Sequence, residues 1–409
     1  MKHRISRTHG VYVVGQLGLV GSTFIFNVFV ARLLGPVEMG VWQTAILVAT
    51  YGMMLMFGTL NGMGREIPYL RGGQDDDGVS ESISSAFAFL TATTGLLVAV
   101  ALLAEISGAA PLWLILGVGL LIARLANGFS MILLRSLQDF TRLGLHQGST
   151  GGVLLLGIVW VGQHPSLQRV LVAMATALLI VTLLAIPHIH LTRVSLARLR
   201  RLTSVGLPIM LAGVLFGLLT TVDRFLILGF LGTEWLGLYT PAITALGILT
   251  IAPGLVSNLM YPKLAHEFGR SEDVGKLMPF VKRMLQLNVA ITLATALIFL
   301  ISFYTVIIPF ILPAYVDGRQ PMSIVLVSAL FLPIAQSFGD LFNVVGLQRR
   351  YLANMAMGFS ANAIVGYVLV GPGGFGLSGV AIGTVVGTAV FAATQSYTYL
   401  GLQRQVVTR

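Results

Sequence analysis

The chain has 409 residues, 56% of them hydrophobic and only 10% charged, with a mean hydropathy of +0.88. Soluble domains carry about 25% charge, so a water-facing globule is excluded. The absence of cysteine also removes disulfides, thiol catalysis and iron–sulfur clusters.

Twelve apolar segments follow one another near 10–32, 37–62, 80–104, 109–134, 144–163, 168–187, 205–230, 236–260, 283–310, 322–345, 352–371 and 377–400. Each is long enough to cross about 30 Å of hydrocarbon, and none shows the short alternating pattern of a barrel strand. The expectation is an all-α polytopic membrane protein with about twelve transmembrane helices. Lys2, His3, Arg4 and Arg7 resemble the head of a signal peptide. The segment behind them is too long and lacks a small-residue cleavage site, so it reads as an uncleaved first span.

The net charge of +10 is distributed by topology. The N-terminus, the C-terminal tail and the loops near 63–80, 135–146, 188–204, 262–283 and 346–351 hold twenty of the 25 Lys and Arg; the opposite loops hold only Arg32, Arg169 and Arg319. This alternation predicts both termini in the cytoplasm and a multi-pass protein of the cytoplasmic (inner) membrane. It also accounts for the basic balance without a nucleic-acid partner.

The chain divides into similar halves. Leu34-Gly35-Pro36-Val37-Glu38-Met39-Gly40 links spans one and two, and Leu231-Gly232-Thr233-Glu234-Trp235-Leu236-Gly237 links spans seven and eight. Asn61 and Asn258 occupy matching positions in the following spans, and Leu137-Gln138 is echoed by Leu347-Gln348. An even number of spans per half predicts two six-helix lobes, 1–187 and 205–409, related by a pseudo-two-fold along the membrane normal around a central cavity. The joint, 188–204, carries Arg193, Arg198, Arg200 and Arg201 among Val194, Leu196, Leu199 and Leu202. It reads as an amphipathic cytoplasmic linker helix, either a passive tether or a dock for anionic lipid headgroups.

Several motifs resemble the polysaccharide transporter family of the multidrug, oligosaccharidyl-lipid and polysaccharide exporter superfamily. They are Ala31-Arg32-Leu33-Leu34-Gly35-Pro36, Gly62-Met63-Gly64-Arg65-Glu66, Val222-Asp223-Arg224-Phe225 and Leu312-Pro313-Ala314-Tyr315. The resemblance implies an O-antigen-type flippase that moves an isoprenoid-pyrophosphate-linked oligosaccharide, a surface polysaccharide precursor, from the inner to the outer leaflet by alternating access. It implies possible H+ or Na+ coupling, contact with membrane lipids, and possible cooperation with glycosyltransferase or polymerase machinery. Related lipid II flippases carry two further spans, which disfavours that assignment.

Ionisable residues inside spans cost roughly 2.5–3.5 kcal/mol at a helix centre and need a cavity or a partner. Arg124 lies mid-span four, Asp223 and Arg224 in span seven, Asp340 in span ten. Asp223 and Arg224 are adjacent, about 100° apart on a helix, and do not simply pair. Asn127 follows Arg124 by three. Gln336, Asp340 and Asn343 share one face, as do Gln16, Thr23 and Asn27 on span one, and Gly213, Gly217, Thr220 and Arg224 on span seven. Guanidinium groups bind phosphate bidentately, and amides exchange bonds with sugar hydroxyls. Candidate substrate contacts are therefore Arg124, Arg224, Arg32, Asn27, Asn127 and Gln336, with Asp223 and Asp340 as ion-coupling or interlobe residues. The structural alternatives stay open: backbone or interlobe bonding for Arg124, snorkelling for Arg224, an interfacial anchor for Arg32, helix glue for Asn27, Asn61 and Asn258, a packing cap for Asp340, and plain helix packing for the Gly213/Gly217 pair.

Prolines sit at span ends or loops in the first half, but Pro241, Pro253 and Pro333 fall inside spans eight and ten, which predicts more bending in the second half. Scattered histidines form no metal set, and no phosphate loop or outer carboxylate pair is present, so no cofactor, metal or enzymatic activity is expected. The rival readings are a cation-coupled multidrug antiporter, disfavoured because span one has no carboxylate, a membrane polysaccharide polymerase or ligase, and a scaffold for glycosyltransferases.

Overall fold

The computed structural model describes residues 2–108, 110–185, 193–271 and 273–407. Among them no strand occurs. The helices are α1 (Lys2–Gly52), α2 (Thr59–Gly72), α3 (Asp76–Ile106), α4 (Leu112–Ser136), α5 (Phe140–Gln163), α6 (Leu167–Ala185), α7 (Leu196–Phe230), α8 (Thr233–Leu238), α9 (Thr240–Ser271), α10 (Met278–Ser302), α11 (Arg319–Leu326), α12 (Leu332–Val344), α13 (Gln348–Val370) and α14 (Gly376–Val407). Among the described residues, each of the twelve expected segments is largely helical. Seven helices among the described residues are long and apolar enough by themselves to cross a membrane, and the bent stretch Pro313–Val344 adds an eighth. Leu167–Leu183 and Thr240–Ile251 are shorter apolar helices, and Gly10–Met56 is long enough to hold two spans. The protein is a multi-pass membrane protein.

α1 is two rods meeting at Gly35, whose φ of 70° and ψ of 176° are open only to glycine. Pro36 then starts the second rod where its missing N–H costs nothing. Gly232 adopts nearly the same conformation, φ 94° and ψ 179°, between α7 and α8. The sequence echo is thus also an echo in backbone geometry. A Cβ at either glycine would meet nothing within 4 Å, so the constraint is purely conformational. Gly35→Ala and Gly232→Ala should each cost about 1–3 kcal/mol, read as a lowered apparent Tm of the purified protein in detergent; unchanged melting would show that the joint relaxes freely.

The chain packs as two units, Met1–Val214 and Leu215–Arg409. In the first, α1 lies along α5 and α4 contacts α6, α2, α3 and α1. Phe26, Trp42 and Phe129 are buried. Close approach rests on glycine: a side chain at Gly15 would strike Gly144, and one at Gly151 would meet Ser22. In the second unit, α13 lies along α14, while α12 contacts α9 and α14. A Cβ at Gly383 would sit 2.8 Å from Gly366 Cα, and one at Gly387 2.8 Å from the Gly358 carbonyl oxygen. The packing expected of Gly213 is absent; a Cβ there meets nothing. Leu264, Val281, Phe338 and Phe342 form a core against which the ring of Tyr399 stacks on Phe338 at 4.3 Å.

Three features differ from expectation. First, no separate linker helix ends at Ser204: residues 186–192 lie outside the described residues, and from Leu196 onward the chain runs without a break into span seven as α7. No breaker separates Leu202 from Leu207, and two of the four arginines meet carboxylates of the first unit. Arg201 Nε lies 2.8 Å from buried Glu66 and Arg198 Nε 3.4 Å from Glu81. The Ser195 amide donates to Ser85 Oγ at 3.0 Å, and the Thr59 and Thr203 hydroxyls are 3.2 Å apart. Gly58, Gly62 and Gly206 let the backbones of α2 and α7 touch. The unit boundary consequently falls inside α7.

Second, the loop expected near 63–80 is mostly helical, because α2 runs to Gly72 and α3 starts at Asp76, capped by the Asp75 carboxylate. Third, bending does not follow proline alone. Span ten breaks by 41° just before α12, with Pro333 in its first turn. Span eight passes from α8 through Tyr239 into α9, which has Pro241 in its first turn, where no hydrogen bond is lost, and continues through Pro253 without a break. Span two breaks with no proline in the break: a 3-10 turn over Met53–Met56 ends in left-handed Phe57 and Gly58, where the backbone meets Gly206. Span nine ends in a π-helical stretch, Phe303–Ile311.

Candidate functional site

The first unit concentrates polar groups on α1, α4 and α5. Arg124 on α4 is half-buried, and its Nη1 donates to the exposed Thr50 Oγ1 on α1 at 2.8 Å. The Thr50 hydroxyl in turn donates to the Ile46 carbonyl at 2.7 Å, so its lone pairs are left for the guanidinium. One turn along α4, buried Asn127 places its Nδ2 3.5 Å from Nε2 of buried His146 on α5. The neighbouring Gln147 donates its Nε2 to Gln16 Oε1 on α1 at 2.5 Å. Nδ1 of His146 is buried with no hydrogen-bond partner. Two polar side-chain pairs, Asn127–His146 and Gln147–Gln16, thus lie on helices that are otherwise apolar.

Asn27 and Arg32 do not join it. The Asn27 amide donates to Thr23 O of its own helix at 3.0 Å, and Arg32 is exposed. Nor did the sequence single out Thr50, His146 and Gln147. The available signal was the polar density of His146, Gln147 and Thr150 at one end of span five, a segment that packs on α1 through Gly144 and Gly151.

In the second unit Asp223 and Arg224 behave as their spacing requires. Their side chains make no ion pair among the described residues; the carboxylate instead accepts the Arg224 amide at 2.8 Å. Asp223 is buried near Tyr239, whose buried hydroxyl has no hydrogen-bond partner among the described residues. Arg224 Nε is buried without a hydrogen-bond partner. An unspent charged donor of this kind is where an incoming anionic oxygen gains most.

Asp340 on α12 forms a separate cluster. It accepts from Ser257 Oγ on α9 and, at 3.3 Å, from Gln336 one turn earlier. The shared face of Gln336 and Asp340 is therefore real, and buried Asp340 has no ion-pair partner among the described residues. Asn288 and Ser337, bonded at 2.8 Å, tie α10 to α12 nearby. No group of three His, Asp or Glu able to hold a metal occurs among the described residues.

Long apolar helices in two packed units, with half-buried arginines and buried carboxylates inside the spans, define a polytopic helical membrane protein. The chain is similar to an inward-facing multidrug resistance MATE family transporter of the MOP superfamily, with a TM-score of 0.66 and 16% identity over 97% of this chain and 94% of that one. It is likewise similar to the lipid II flippase MurJ in an inward closed conformation, at 0.69 and 11% over 93% and 87%. A MOP superfamily transporter from Pyrococcus furiosus, described as having a binding pocket of reverse polarity, matches at 0.61 and 14% over 98% and 95%. At these identities the likeness establishes the fold. Residues 29–315 match the polysaccharide biosynthesis protein family, and the chain belongs to that family. No functionally curated protein matches it in sequence.

Proposed function

We propose that this protein is a flippase that carries an isoprenoid-pyrophosphate-linked oligosaccharide from the inner to the outer leaflet of the cytoplasmic membrane by alternating access. The observation that carries the reading is the half-buried Arg124 guanidinium, held by Thr50 one turn from the Asn127–His146 pair, in a chain of the polysaccharide biosynthesis protein family. A guanidinium matches a pyrophosphate, and neutral amide and hydroxyl groups match sugars as water is lost. Arg224, with its buried unpaired Nε, supplies the second cationic contact. The isoprenoid tail stays in lipid, and glycosyltransferases and a polymerase act before and after the step.

Asp340 is assigned to ion coupling, because it is a buried carboxylate held by neutral donors and thus free to exchange a proton or bind Na+. A second reading, a cation-coupled multidrug antiporter, is favoured by the same carboxylate and by the MATE fold. The test is leaflet-resolved movement of a fluorescent lipid-linked oligosaccharide in proteoliposomes. Wild-type protein should accelerate flipping at least about tenfold over empty liposomes, and an imposed proton or Na+ gradient should stimulate it further. Asp340→Asn should lose the gradient response and keep the downhill rate. Absence of flipping, together with gradient-driven efflux of a cationic dye, would establish the antiporter instead.

A further inference from the structure

Where the π-helical end of span nine meets α11, the second unit holds an open groove of about 780 Å³, within the ~300–1,000 Å³ of small-molecule sites. The charge alternation in the sequence puts this end of the spans on the face opposite the basic loops. Tyr304, Asp317, Arg319, Gln320 and Ser323 line it together with the aliphatic Val316, Ile324 and Val327. Its lining is mixed, with polar groups set among aliphatic side chains. Tyr304 is 43% exposed, yet its hydroxyl lies 2.9 Å from Ser323 Oγ. Ser323 spends its own proton on the Arg319 carbonyl at 2.9 Å, so Tyr304 is the donor and its ring is fixed in place. Arg319 Nε is anchored on the Val316 carbonyl at 3.0 Å, which aims the remaining guanidinium donors. π-helical turns recur at functional sites, and this one places Tyr304 at the groove.

A fixed exposed aromatic face, a carboxylate, a guanidinium and an amide around one groove are the groups that bind a sugar by its apolar face and its hydroxyls. The Asp317 carboxylate in the same lining repels an anion and so disfavours a phosphate ligand there. We propose that this groove is a second glycan-binding site, which receives sugar residues of the oligosaccharide on the outer face. Its role rests on the flippase reading; its binding does not.

The probe is the oligosaccharide released by mild acid from the host's own lipid-linked pool, dephosphorylated and added to the full-length protein in nanodiscs. Saturation-transfer NMR should detect binding, and Tyr304→Leu and Arg319→Gln should each weaken it about tenfold, the loss of one strong contact. Ser323→Ala, which releases the ring without removing it, should give a smaller loss and covers the case in which Tyr304→Leu does not fold. Binding equal in all variants, or no binding to wild type, overturns the site. So does displacement by inorganic pyrophosphate or glycerophosphoethanolamine, which would make it an anion or lipid-headgroup site. Flipping measured on the same preparations separates the two readings: variants that bind normally while wild type flips sink the groove alone, and variant-sensitive binding without flipping sinks the flippase alone.

Discussion

Arg124→Glu should reduce flipping of a lipid-linked oligosaccharide by about 100-fold or more while leaving membrane insertion and yield intact. The guanidinium donates to Thr50 Oγ1, whose own hydrogen is committed to Ile46. A glutamate would set an anionic acceptor against a hydroxyl with only lone pairs to offer, and would repel a pyrophosphate in place of binding it. The change replaces a charged hydrogen bond of about 1.5–3 kcal/mol with repulsion. Arg124→Lys, which keeps charge and loses the planar fork, should fall between. Thr50→Val should cost about tenfold by freeing the arginine from its orientation. Arg224→Glu should behave like Arg124→Glu, since its buried Nε is already an unspent donor. Initial rates in proteoliposomes, normalised to inserted protein, decide the matter. Wild-type rates from both reversed variants would remove the cationic mechanism.

The second large effect concerns the α2–α7 crossing. A methyl group at Gly206 would collide with the Gly58 carbonyl oxygen, one at Gly62 with the Leu202 carbonyl, and one at Gly58 with Gly206 itself. Because the obstacle is backbone on both helices, rotamer change cannot relieve it, and the cost should exceed the 1–3 kcal/mol of ordinary overpacking. Gly206→Leu should leave little monodisperse protein by size-exclusion chromatography, and Gly206→Ala should melt at a distinctly lower temperature. Gly213→Ala, on the same helix with open space around it, should be neutral or stabilising because alanine favours helix by up to about 1 kcal/mol. Equal melting of Gly206→Leu and wild type would mean that the helices do not cross at this point in the folded protein.

How far the site could be read beforehand varied with the chemistry of each residue. Arg124, Asp223, Arg224 and Asp340 stood out because a charge in an apolar run is rare and has to be compensated. Gln336 and Asp340 could be paired from helical spacing alone, since i and i+4 meet on any helix. Their distant partners were hidden. Thr50, Ser257 and Tyr239 are common residues in membrane helices, and only packing brings Thr50 to a residue 74 positions away or Ser257 to one 83 away. Asn27 looked as exposed to function as Asn127, yet it bonds its own helix while Asn127 faces His146. Helical periodicity gives a shared face and is silent on what that face meets.

Charge scarcity, span length and the paired Leu-Gly links determined from composition and order alone that this is a twelve-segment helical membrane protein with an internal echo, because hydrocarbon leaves so few ways to satisfy a backbone. The tertiary structure decided where helices break and which ones fuse. Gly58 turns left-handed and α7 runs on past the expected linker because two backbones meet there, and such a meeting depends on residues more than a hundred positions apart.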